Sequence, residues 1–223
     1  MTVLLLDNFI NKKYSGYFCE YHHDDIETLD ASKGEFPEYL DKYSHVILSG
    51  CEDSIANEYD WVLKEIELVK EMVEKKIPVL GICYGHQLIG RALWGREGVR
   101  KRENPELGWK IITQTSDDPL FDSIPRDFFM FVSHFDEVTE IVDADILAWS
   151  EECNIQAMAV KDSYIYGLQF HPEINMESGK RFLEDLREVV PECSTQLDHA
   201  LDEAQECKFN RTIFENFYRM KRG

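Results

Sequence analysis

Ile77-Pro78-Val79-Leu80-Gly81-Ile82-Cys83-Tyr84-Gly85-His86-Gln87 decides the fold. The apolar run to Ile82 reads as a buried strand, with Pro78 at its start, where no ladder donor is lost. Gly85 to Trp94 reads as a helix. One nucleophilic residue, Cys83, joins the two between Gly81 and Gly85, the G-x-nucleophile-x-G pattern of a strand-to-helix elbow. Such a nucleophile occupies strained backbone, and neighbours carrying a Cβ would crowd the turn. Its side chain then projects at the carboxyl edge of the sheet, at a helix N-terminus whose dipole favours a thiolate. The amide N–H that follows can face a developing oxyanion. By themselves these five residues fit a buried cysteine in a tight turn equally well.

Working outward, Val3 to Asp7, Ile26 to Asp30 and His45 to Gly50 read as strands. Trp61 to Lys76 places Trp61, Val62, Ile66, Val69 and Val73 on one helical face. Alternating strands and helices predict a parallel sheet covered by helices. Downstream, Trp109–Thr115, Phe128–Val132, Ile146–Trp149, Ile155–Val160 and Tyr164–Phe170 are closely spaced strand candidates, some of them antiparallel additions to the same sheet. A helix follows from about Glu177 to Val190. The tail from Ser194 to Met220 reads as one or two amphipathic helices broken near Lys208. The expected division is one domain over residues 1–190 and a helical extension over 191–223, packed on that domain or at an interface.

A second chemical element is Gln169-Phe170-His171-Pro172-Glu173. His171 and Glu173, two apart at the end of an extended segment, face the same way, and Pro172 stiffens the link. A thiol needs a base to ionise it and an acid to protonate the leaving amine, and an imidazole does both near neutral pH. Glu173 can fix the imidazole's tautomer. Cys83 and His171 both lie at carboxyl ends of strands, where open α/β sheets place their sites.

The chain has 223 residues, 43% hydrophobic and 30% charged, the proportions of a globular protein large enough to build a core without disulfide or metal. Its 24 basic and 43 acidic residues leave a net charge of −19, which argues against nucleic acid and anionic membranes as partners. The N-terminus reaches Asp7 at once and reads as a first strand rather than a signal peptide. No two of the six cysteines have CxxC spacing, so no zinc site is indicated, and a reduced, cytoplasmic setting is expected.

Taken together, the Cys83 and His171 motifs resemble the class I (triad) glutamine amidotransferases, over about residues 3 to 190. Ser133-His134-Phe135-Asp136-Glu137-Val138, Leu107-Gly108-Trp109 and Leu147-Ala148-Trp149-Ser150 are similar to stretches in the glutaminase domain of GMP synthase and its relatives. The resemblance implies a flavodoxin-like α/β fold, mostly parallel, with helices on both faces and added antiparallel strands. It also implies hydrolysis of the glutamine side-chain amide through a γ-glutamyl thioester on Cys83, with His171 relaying the proton and Glu173 orienting it. It further assigns the oxyanion N–H groups to Gly50 and Tyr84. Gln87 and the backbone of Ser133, His134 and Phe135 are assigned to the bound glutamine. No metal or organic cofactor is required.

The sequence departs from the family at Ser49-Gly50-Cys51-Glu52-Asp53, where Gly-Gly-Pro or a similar turn is usual, so a differently placed oxyanion loop is expected there. Asn8 to His23 matches the usual first helix poorly. Nothing resembles an ATP-pyrophosphatase, so a synthase on another chain would have to accept the ammonia. The alternative is a free-standing γ-glutamyl peptide hydrolase, since both reactions pass through the same acyl-enzyme. A third reading, a binding module on an inactive fold, is opposed by the presence of Cys83, His171 and Glu173.

Overall fold

The computed structural model describes residues 2–21, 25–139 and 141–221. Five strands form the parallel part of one sheet: β1 (Thr2–Asp7), β2 (Ile26–Asp30), β3 (Tyr43–Leu48), β4 (Val79–Ile82) and β9 (Ile165–Leu168). Four more continue it antiparallel: β5 (Val99–Gln114), β6 (Asp127–Val138), β7 (Ala144–Trp149) and β8 (Ala157–Val160). The order is β2-β1-β3-β4-β9-β8-β7-β5-β6. This mixed architecture matches the expected fold. The helices are α1 (Asp60–Glu74), α2 (Tyr84–Trp94), α3 (Met176–Val189), α4 (Ser194–Asp202) and α5 (Asn210–Arg219). Among the described residues no helix is long and apolar enough to cross a membrane.

Because successive strand residues face opposite sides, the sheet builds two cores. Leu4, Leu6, Val46, Leu48 and Val79 pack under α1 and α2, against Val62, Val69, Met72, Leu88 and Ile89. Val3, Leu5, Ile47, Leu80 and Ile82 face the other side, which Ile213, Phe214 and Phe217 of α5 help to cover. A third cluster joins Leu107, Trp109 and Phe131 to Leu183 of α3 and to Leu197 and Ala200 of α4. The C-terminal helices therefore share their apolar residues with the sheet.

The segment that matched the usual first helix poorly holds no α-helix among its described residues. It has a 3₁₀ turn at Ser15–Tyr21, and His22 and His23 lie outside the described residues. Tyr21 stacks on Phe214 of α5 with ring centroids 5.1 Å apart.

Both elbow glycines are explained by close backbone approach. A Cβ on Gly85 would lie 2.3 Å from the Leu48 carbonyl oxygen, and one on Gly81 would lie 2.5 Å from that of Gly85. These neighbours are backbone atoms that cannot rotate away. Gly85→Ala is accordingly expected to destabilise by about 3 kcal/mol, the upper end of ordinary overpacking. A thermal melt should show Tm lower by roughly 6–12 °C; an unchanged melt would mean that α2 moves off β3 at little cost.

Candidate functional site

Three chain segments meet at Cys83. It adopts φ 51° and ψ −100° between β4 and α2, a conformation that costs a non-glycine residue about 1–3 kcal/mol and that the surrounding packing imposes. Its N–H donates to the Leu168 carbonyl at the end of β9 (2.7 Å). Its Sγ lies 3.6 Å from the Ser133 carbonyl of β6. The third contact follows from the curl of the sheet. β6 is four strands from β9 in sheet order, yet the His171 N–H donates to the Phe131 carbonyl of β6 at 2.8 Å.

Cys83, His171 and Glu173 are all buried. His171 Nδ1–H donates to Glu173 Oε1 at 2.7 Å. This pairing does not arise from extended chain as expected. β9 ends at Leu168, and Pro172 and Glu173 form a turn that brings the carboxylate back to the imidazole. Burial opposes a charged imidazole, but the Glu173 carboxylate and the adjacent Cys83 sulfur outweigh it and hold the His171 pKa well above 6.5. The loop beyond is clamped from the tail, where Asn210 Nδ2 of α5 donates to the Ile174 carbonyl (2.8 Å). A capping box at Asn175 and Ser178 then opens α3.

Gly50 lies directly beside the imidazole, since a Cβ on it would stand 3.4 Å from His171 Cε1. The Tyr84 N–H opens α2, where no carbonyl of its own helix can accept from it. Gln87 is buried and its amide is already engaged, donating to the Asp136 carbonyl (2.8 Å) and to Gln169 Oε1 (3.3 Å). Ser133 and His134 lie on β6, with Phe135 half-buried beside them. The His134 side chain is engaged elsewhere: Nδ1 meets the Asp136 carbonyl (3.0 Å) and Nε2 meets Glu106 Oε2 (2.6 Å). Cys51 follows Gly50, and burial pushes its thiol up to about 12.

Sequence reasoning missed the cluster behind His134. Glu106 accepts from Ser150 Oγ (2.6 Å) and Gln156 Nε2 (2.8 Å) as well as from His134. Together with Cys153, Glu106 and His134 offer three ligand-type atoms within 4.8 Å of one another. Their hydrogen bonds already occupy the carboxylate, so the group reads as a satisfied polar core that locks β6. Only the stretches Leu107-Gly108-Trp109 and Leu147-Ala148-Trp149-Ser150 hinted at it in the sequence.

A thiol, an imidazole beside it and a carboxylate behind, with the Gly50 and Tyr84 backbone nearby, can carry out acyl transfer through a thioester. The comparisons agree with this chemistry. Residues 4–188 match the family model described as glutamine amidotransferase class-I. The chain is 36% identical over 146 residues to the glutamine-hydrolyzing GMP synthase subunit of Methanococcus vannielii, covering 65% of this chain and 72% of that protein. It is 34% identical over 183 residues to gamma-glutamyl peptidase 5 of Arabidopsis thaliana, covering 76% and 72%. A glutamine amidotransferase of Thermotoga maritima superposes with a TM-score of 0.77 at 25% identity, over 98% of this chain and 95% of that one. The elbow, the curled sheet and these matches lead to one conclusion: the chain belongs to the class I glutamine amidotransferase family.

Proposed function

We propose that the protein is a glutaminase that releases ammonia from the glutamine side chain and delivers it to a synthase on another chain. The observation that carries this reading is the buried Cys83–His171–Glu173 arrangement, with the Gly50 and Tyr84 amides beside it. Cys83 Sγ attacks the carboxamide carbon, and the Gly50 and Tyr84 N–H groups stabilise the oxyanion. His171 gives its proton to the departing ammonia, which leaves a γ-glutamyl thioester. Water, deprotonated by His171, then releases glutamate and restores the thiol. Glu173 holds the imidazole in the required tautomer throughout. In this scheme the Ser133–Phe135 backbone receives the α-carboxylate of the substrate, and Gln87, fixed by Asp136 and Gln169, helps hold the glutamine.

The similarity to a gamma-glutamyl peptidase supports a second reading, hydrolysis of a γ-glutamyl peptide. The two readings share every bond-making step and differ only in the leaving amine.

The experiment is a release assay on the protein alone, with glutamine beside γ-glutamyl dipeptides, repeated with candidate ammonia-dependent synthases. Slow glutamine turnover that a synthase raises by roughly 10²–10³-fold, the worth of one oxyanion donor, is the expected result. A far higher rate on the dipeptide, with no response to any synthase, would establish the hydrolase instead.

A further inference from the structure

Behind the loop that carries Gly50 lies a carboxyl group with no role in the steps above. Glu65, on α1, is 0% exposed, and its side-chain oxygens have no hydrogen-bond partner beyond the adjacent Asn8 amide. The amide of Asn8, just beyond β1, stands beside it. Asn8 is also fully buried, and its Oδ1 has no partner. A carboxyl that keeps its proton can donate to Asn8 Oδ1, an acceptor without a partner, whereas an ionised Glu65 can only accept from the Asn8 amide N–H, drawing on the group that holds Ser49 and leaving Oδ1 unpaired.

Asn8 connects this pair to the proposed oxyanion site. Asn8 Nδ2 donates to the Ser49 carbonyl (3.3 Å), which also accepts from the Gly85 N–H at the start of α2 (3.1 Å). The Asn8 backbone N–H donates to Ser49 Oγ (2.8 Å), and that hydroxyl donates to the Gly50 carbonyl (2.9 Å). In a trans peptide the N–H points opposite to the C=O. Anchoring the Ser49 carbonyl toward Asn8 and Gly85 therefore turns the Gly50 N–H the other way.

We propose that Asn8 and Glu65 are positioning residues that hold the Ser49–Gly50 peptide with its N–H presented to the oxyanion, and that they do so only while Glu65 is protonated. The proposal rests on the thioester reading above. Burial pushes the Glu65 carboxyl up to about 8, against a smaller opposing pull from Asn8. The titratable groups that sense its charge are Cys51 from the loop after β3 and Tyr84 from α2. Burial raises both, Cys51 to about 12 and Tyr84 higher still, so neither ionises in the range where Glu65 does. Asp53 and Tyr59 act on Tyr84 more weakly than Glu65 does.

The test measures kcat and KM for glutamine, or for the γ-glutamyl dipeptide if that is turned over faster, from pH 6.5 to 9.5. It uses the wild type, Asn8→Ala, Glu65→Gln and Cys83→Ala, with the rate of Cys83 alkylation by iodoacetamide as a check on the thiol and the fold. Glu65→Gln retains a donor and cannot ionise. Its kcat should stay within threefold of wild type at pH 7, and the ratio of variant to wild-type kcat should rise at least fivefold between pH 7 and 9. That ratio cancels any titration the two proteins share. Asn8→Ala should lose about 10- to 100-fold in kcat, part of the worth of one oxyanion donor, with KM within twofold and alkylation unchanged. If Asn8→Ala does not fold, the pH ratio alone decides. Wild-type kcat and a flat ratio in both variants, with Cys83→Ala inactive, would overturn the proposal and leave the thioester reading standing. Parallel loss of kcat and alkylation would also overturn it, as general loosening of the site. Activity in Cys83→Ala would overturn the thioester reading itself, and the proposal with it.

Discussion

Cys83→Ala leaves a folded protein that no longer hydrolyses glutamine or γ-glutamyl peptides, with a loss of at least about 10⁴-fold. Among the described thiols, the strained elbow backbone aims Cys83 at His171 and the Ser133 carbonyl. Cys51 is the obvious rival because it follows Gly50, but burial pushes its thiol up to about 12, so it offers almost no thiolate near neutral pH. Cys51→Ala should therefore turn over at close to the wild-type rate. Substrate turnover and trapping of a γ-glutamyl adduct by mass spectrometry check both variants. A Cys51→Ala loss comparable to that of Cys83→Ala would mean the wrong thiol had been assigned.

The second large effect separates His171 from Glu173. His171→Ala removes both the base and the acid, and a loss of roughly 10⁴–10⁶-fold in kcat is expected. Glu173→Gln keeps the imidazole and removes only the carboxylate that orients it, so a smaller loss of about 10²–10⁴-fold follows. The pH dependence gives an independent sign. The Glu173 charge is the leading influence holding the His171 pKa up against burial. Without it the imidazolium gives up its proton more readily, and the limb of the kcat/KM profile assigned to His171 moves to lower pH. If Glu173→Gln is the more damaged variant, or if its profile does not move, Glu173 has another duty.

Much of this was legible from local pattern. The elbow at Gly81–Gly85 is written in five residues because steric exclusion is local. The glycines are required where a Cβ would strike backbone 2.3–2.5 Å away. The parallel strands other than β2 are legible for a similar reason, as continuous apolar runs buried on both faces. His171 and Glu173 are two apart, and so their pairing was foreseen, although a turn rather than extended strand achieves it. The reach of β5 and β6 was not foreseen. Charged residues such as Arg100 and Lys101 hide the start of one strand, and Ser133 to Val138 had no apolar run to mark the end of the other.

By itself, then, the sequence pointed to Cys83, His171 and Glu173 as the proposed nucleophile, base and partner, because each sits in a short motif whose geometry is set by neighbouring residues. Only the tertiary structure decided what surrounds them. The curl that brings β6 over β9, the Glu106 cluster that holds the His134 side chain, and the Asn8–Glu65 pair behind Gly50 all join residues tens of positions apart. Buried polar groups must find partners wherever the packed chain places them, and no local spacing encodes which partner that will be.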